Sequence, residues 1–150
     1  MNSSYIVTID PKSGAVQIES FSLNLVKGIF IDTVKTELSK IIQTENDMQT
    51  GYRWIHLKSL TFGNQPAGLS LCFLNEKLNM ITIEVTLPDD ESDQNWPTEA
   101  TSQRQVEFMR KELEQQLSCK LGEQNFPWGS AWANFDSKGF MASAGIHYKE

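Results

Sequence analysis

A chain of 150 residues, 39% hydrophobic and 21% charged, has the size of one domain and enough apolar residues to bury a core without disulfides or metal. Those fractions are ordinary for a globular protein and exclude wholesale disorder or a fibrous repeat. No apolar run approaches the roughly 20 residues that cross a bilayer, and the start MNSSYIVTID lacks the basic and apolar regions of a secretory signal, so a soluble, cytoplasmic protein with no membrane partner is expected.

In chain order, YIVTIDPKSGAVQIES reads as an opening hairpin. Pro11 presets the turn and Gly14 supplies a positive φ. Phe21, Leu23 and Leu25 alternate with polar neighbours and continue a short strand before Gly28 interrupts it. Asp32 is an N-cap for a helix over 33–43, because Val34, Leu38, Ile41 and Ile42 share one face; the polar run TENDMQTG then ends it.

YRWIHLKSLTF, residues 52–62, is aromatic and β-branched and reads as a strand, followed by GNQPAG as a loop. LSLCFL and LNMITIEVTL flank a connector at Asn75, Glu76 and Lys77. In the second run Ile81, Ile83, Val85 and Leu87 alternate with Thr82, Glu84 and Thr86, the period of a sheet covered on one side. PDDESDQNWPTEAT reads as a surface loop. A long helix follows: Val106, Met109, Leu113 and Leu117 form its apolar face, residues from Arg104 to Glu114 its wet side, and Gly122 its stop. Two strands around Asp136-Ser137-Lys138-Gly139 close the chain, with Phe140, Ala142, Ala144, Ile146 and Tyr148 on one face. No linker or repeat divides it. Residues 1–150 therefore form one α+β domain, an antiparallel sheet of about six to eight strands with two helices packed on one face.

The charge is unevenly placed. The formal charge is −6, and residues 78–103 contain six acids, Glu84, Asp89, Asp90, Glu91, Asp93 and Glu99, with no lysine or arginine; the other residues balance at 13 basic and 13 acidic. Such a segment repels phosphates and attracts cations, which excludes nucleic acid as a partner and favours a basic protein.

Motifs for chemistry are missing. His56 and His147 are the sole histidines, and Cys72 and Cys119 belong to no C-x-x-C pair, so no metal site, cofactor site or disulfide framework is expected. Gly129-Ser130 in PWGSAW lacks the trailing glycine of a nucleophile elbow, and no glycine loop has phosphate-binding spacing. The acids at 89–93 lie in a predicted loop, without the apolar frame that would set one carboxyl apart from another as acid and base. No catalytic residue is assigned. Trp128 and Trp132 in the closing segment are expected to pack as hydrophobic bulk.

The stretches YRWIHLKSLTFGNQPAGLSLCFLNEKLNMITIEV and NFPWGSAWANFDSKGFMASAGIHY resemble a loose group of small uncharacterised bacterial proteins. In that group a strand ending in LTFG, an LSLxF…KLxxI hairpin and a WG…DSKG hairpin surround one long helix. Some members resemble immunity proteins of contact-dependent or polymorphic toxins. The resemblance covers roughly residues 52 to 148 and transfers no functional residue. It implies a cytoplasmic, non-enzymatic protein that neutralises a cognate toxin.

Together these readings give an expected binding surface of Asp89, Asp90, Glu91, Asp93, Trp96 and Glu99, directed at a basic toxin domain, with Trp96 as anchor. A rival is a small-ligand or enzymatic domain with a pocket between sheet and helices near Trp54, His56, Trp128 and Trp132. A third is a subunit that pairs through a sheet edge, so the chain is a monomer or a dimer.

Overall fold

Strand β1 (Tyr5–Ile9) turns back through residues 10–14 into β2 (Val16–Ile18), with the Gly14 amide donating to the Asp10 carbonyl at 2.8 Å. Gly14 adopts φ +72°, the left-handed conformation that the tight turn needs. The computed structural model describes residues 4–88, 90, 92–93, 96–121, 126–136 and 141–149, the side chains of residues 92, 93, 96, 97, 136 and 141 excepted. The short strand β3 (Asn24–Leu25) pairs with β2, as the alternation at Phe21, Leu23 and Leu25 anticipates.

The first helix is shorter than its periodicity predicts. Helix α1 spans Ile31–Glu37, a 3-10 turn covers Ser39–Ile41, and the chain then extends as β4 (Ile42–Asp47). Of the predicted apolar face Val34, Leu38 and Ile41 are buried, but only Val34 lies within α1, and Ile42 is half-buried in β4. Asp32 is not the cap; Phe30 is, without a side-chain bond, and Asp32 lies in the first turn. Residues 42–47 leave the helix because they pair along β5 (Tyr52–Phe62), from Ile42 opposite Leu57 to Asp47 opposite Arg53. Pairing between distant segments outweighs local preference here.

Strand β5 coincides with the predicted segment, and it contains a bulge. Ile55 and Leu57 are buried, then Leu60 and Phe62, so the inward phase slips by one residue at Lys58-Ser59. Ser59 takes φ +64° to absorb the extra residue. Gly63-Asn64, both with positive φ, make a two-residue turn, and β6 begins at once as Gln65–Leu74. The predicted loop over 63–68 is thus a tight hairpin whose last four residues belong to the strand. Asn75-Glu76, again both at positive φ, lead into β7 (Lys77–Val85), where Ile81, Ile83 and Val85 face the core as predicted.

Two short segments, β8 (Ser92–Asp93) and β9 (Trp96–Pro97), pair with each other. Helix α2 (Glu99–Leu117) starts at Thr98, whose hydroxyl accepts from the Thr101 amide at 3.1 Å. It buries Val106, Met109, Leu113 and Leu117, as its spacing predicts, and Ser118 at φ 57° ends it. The predicted stop at Gly122 lies outside the described residues. The wet side is less uniform than expected: Arg110 donates to the Ala133 carbonyl, and Glu114 accepts from the Leu121 amide at 3.0 Å. The last hairpin is β10 (Gly129–Asp136) and β11 (Met141–Tyr148), its tip lying outside the described residues, as does Phe140 of the predicted inward face.

Among the described residues nine strands form one sheet in the order β10-β11-β7-β6-β5-β1-β2-β3, with β4 also on β5. Every pairing is antiparallel except β1 with β5. One apolar cluster takes in Val34 of α1, Leu113 of α2 and the inward residues of the strands, so both helices cover the same face. The protein is α+β, as the sequence predicts, with a wider sheet than expected. Ala133 and Ala144, both fully buried, let α2 lie close against β10 and β11.

Candidate functional site

The acidic segment is fixed to the fold at one point. Asp90 is only 14% exposed, and its carboxylate accepts from the Leu87 amide at 2.8 Å and from the Gln105 side-chain amide at 3.0 Å. Arg104 approaches the other oxygen at 3.4 Å. Gln105 also donates to the Val85 carbonyl at 3.2 Å, so a single helical side chain ties the end of β7 to the loop beyond it. Asp90 is therefore a clamp between loop and helix, with its charge met by Arg104, and not an outward contact as the sequence reading supposed. A buried carboxylate with this set of donors holds backbone in place, and removing it would strand the donors.

The other expected contact residues divide. Glu99 is exposed in the first turn of α2. Asp93 and Trp96 sit opposite one another where β8 meets β9. Asp89 and Glu91 lie outside the described residues, although each is a covalent neighbour of Asp90.

Beside the clamp lies a cleft of about 580 Å³, within the ~300–1,000 Å³ of ligand pockets. Its depth is apolar: Leu57, Ile83, Val85 and Met109 are each at most 5% exposed, with Ala67 and Ala142 between them. Its rim is polar and wet, formed by Gln43, Lys58, Ser59, Glu84 and Thr86, all exposed. Asp90, Thr101 and Gln105 make the remaining wall. The bulge at Lys58-Ser59 shapes this site, because Gly68 stands opposite two residues there and the pairing skips from Leu57–Leu69 to Leu60–Ala67. At the same place β5 changes neighbour from β4, which starts opposite Leu57, to β1, which starts opposite Leu60. The cleft opens where two strands diverge and a small residue, Ala67, lies in the floor.

The tryptophans take separate places. Trp128 is buried, stacked on Phe126 at 4.8 Å between ring centroids, and its indole N–H donates to the Pro11 carbonyl at 3.0 Å. It is core, as expected. Trp132 lies on the opposite, helix-free face above Gly145, its N–H donating to the Ser143 hydroxyl at 2.9 Å. Trp54 and His56 share that outer face on β5, four strands away. The four aromatic residues do not converge on one site, and the cleft beside Asp90 lies apart from them on the helix side of the sheet.

His56 comes within 2.6 Å of the Ser70 hydroxyl, a pair that invites comparison with a nucleophile and its base. Ser70, however, stands inside β6 with ladders on both sides, so neighbouring amides are engaged in the sheet and none is spared for an oxyanion. His147 is exposed on β11, separated from His56 by two strands. Cys72 is buried, which pushes its thiol pKa above the ordinary value. Among the described residues no three His, Cys, Asp or Glu side chains gather as a metal site would require.

No family model matches the chain, and neither does any curated protein or solved structure. What the residues can do is thus argued from their geometry. The sequence singles out the acidic segment and not this cleft. Its signal was present in IHLKSLTF, where the apolar spacing changes from two to three, and in the small residues Ala67 and Gly68 that fall opposite.

Proposed function

We propose that this protein is a non-enzymatic binding protein that neutralises a basic partner by covering it with the acidic segment between β7 and α2, in the manner of an immunity protein against a toxin domain. The observation that carries the reading is the Asp90 clamp. It ties the chain between β7 and α2, within a sequence segment of six acids and no base, to the end of β7 and to Gln105 of α2. Fixed, one-sided charge raises association rates and selects partners of opposite sign. Glu99 and the acids flanking Asp90 in the chain supply it; Asp90 supplies the anchorage.

The test is association with the protein encoded beside this one, the arrangement expected of a toxin and its immunity protein. Protection of cells expressing that neighbour, and a complex whose association slows about tenfold or more in Asp89→Asn/Glu91→Gln/Asp93→Asn with a flatter salt dependence, are the expected results. A complex indifferent to both salt and substitution would overturn the acidic surface.

A second reading is supported by the cleft itself, whose apolar depth and polar rim suit a small amphipathic ligand. A raised melting temperature with such a ligand, lost when Ala67 is enlarged to Met, is its expected outcome.

A further inference from the structure

We infer that the pocket between Lys27, Lys77 and Lys149 binds a small multivalent anion of the phosphate class. The inference goes beyond the partner-binding reading above and stands on residues which that reading does not use.

Strand pairing makes the pocket. At its start β7 is paired with the segment before α1: the Gly28 amide donates to the Leu78 carbonyl at 3.0 Å, and the Leu78 amide donates to the Ile29 carbonyl at 2.9 Å. From Met80 onward the same edge is paired with β11, Met80 standing opposite His147 and Thr82 opposite Gly145. Asn79 falls between the two neighbours. There a cavity of about 250 Å³ opens, lined by Gly28 from the first segment and by Tyr148 and Lys149 from the end of β11. Gly28 has φ +76°, and a Cβ on it would meet nothing within 4 Å, so the backbone leaves space at this point.

Three lysines from three separate segments line the cavity: Lys27 beside Gly28, Lys77 at the start of β7 and Lys149 just after β11. All three are exposed. No acid stands among the described lining residues, and the described ion pairs engage Lys35, Arg53 and Arg104 instead. Glu76, next to Lys77 in the chain, lines a different pocket and approaches Arg53 at 3.9 Å. The Lys77 ammonium lies 5.8 Å over the Phe30 ring centroid, a contact that engages no carboxylate. In a chain of net charge −6 this is a local excess of positive charge, and a concave surface focuses its field.

The remaining walls narrow the class of anion. Asn79 is half-buried, and its side-chain amide, which makes no hydrogen bond among the described residues, can donate to an oxyanion. The Tyr148 hydroxyl is already committed to the Gly14 carbonyl. Lysines act as point charges and not as planar forks, so a cluster of them favours an ion with several acceptor oxygens and more than one charge over a single carboxylate. The cavity falls below the ~300–1,000 Å³ of sites for drug-sized ligands, which suits free phosphate or a small phosphomonoester.

Inorganic phosphate, methyl phosphate and acetate, each titrated at constant ionic strength, test the site through the amide NMR signals of Gly28, Asn79 and Lys149. We expect phosphate to move all three and acetate to bind about tenfold or more weaker, having one charge and two oxygens. Methyl phosphate binding as well as phosphate would assign phosphomonoesters to the pocket; phosphate binding alone would restrict it to the free ion. Lys27→Gln, Lys77→Gln and Lys149→Gln should each weaken phosphate roughly 2- to 5-fold, the worth of one exposed charge pair, and the triple variant should lose the shifts. Lys58→Gln, beside the other cleft, should change nothing. An equal response to acetate, shifts that survive the triple substitution, or three amides indifferent to phosphate would each overturn the site. The comparison of phosphate with acetate on the wild-type chain requires no variant to fold.

Discussion

At the residue scale the two ends of the chain are joined by a few specific contacts. Tyr148 donates its hydroxyl proton to the Gly14 carbonyl at 2.7 Å, and Trp128 lies against the same turn, 114 positions later in the sequence. Gly14 is needed twice: its φ is positive, and a Cβ there would collide with the Trp128 ring. Gly14→Ala should therefore lose about 2–4 kcal/mol, backbone strain and overpacking together, measured by urea unfolding. Tyr148 adds a pH dependence. Burial raises its phenol above the ordinary value of 10.0, so the folded chain keeps the proton after the unfolded chain has begun to release it. Stability is then undiminished below about pH 10 and falls as pH climbs above it, by at most ~1.4 kcal/mol per unit from this one group. Unfolding measured from pH 8 to 11.5 should show this decline, and Tyr148→Phe should flatten it while lowering stability at neutral pH.

At the scale of elements, the long helix and the one-sided strands were legible because their apolar spacing matches their burial. Val106, Met109, Leu113 and Leu117 occupy one stripe, and Ile81, Ile83 and Val85 one face. Boundaries were less legible where a distant partner sets them. Residues 42–47 look helical or loop-like alone and become a strand because β5 offers them a ladder, reinforced by Glu45, which bridges Lys35 of α1 at 3.1 Å and also pairs with Arg53 of β5. Residues 65–68 look like a loop because proline and glycine are poor strand formers, yet Gly63-Asn64 already completes the turn. The cap of α2 is local chemistry and can be tested as such: Thr98→Ala should cost about 1 kcal/mol and speed exchange of the Thr101 amide. The cleft was illegible for the same reason as β4. It is made where β5 trades one neighbour for another, a relation between strands far apart in sequence.

On the scale of the whole molecule, Asp90 anchors the acidic run, and under the proposed function its other members supply the charge, which separates stability from association. Asp90 accepts two hydrogen bonds in a mostly buried setting, so Asp90→Ala should destabilise the fold by roughly 1–3 kcal/mol, the cost of leaving the Leu87 amide and the Gln105 side chain without their acceptor. The chain as a whole carries −6, and its neighbours in the run contribute to self-repulsion. Removing three of those charges in Asp89→Asn/Glu91→Gln/Asp93→Asn should leave unfolding within about 0.5 kcal/mol of wild type, or raise it slightly at low salt. The same triple substitution should slow capture of a basic partner, whereas Asp90→Ala should weaken the complex by loosening the segment that presents the charge. Urea unfolding and stopped-flow association on both variants, at low and high salt, read the two effects apart. If the triple variant lost as much stability as Asp90→Ala, the acids beside the clamp would belong to the scaffold, and the charge at this corner would have to be explained by folding alone.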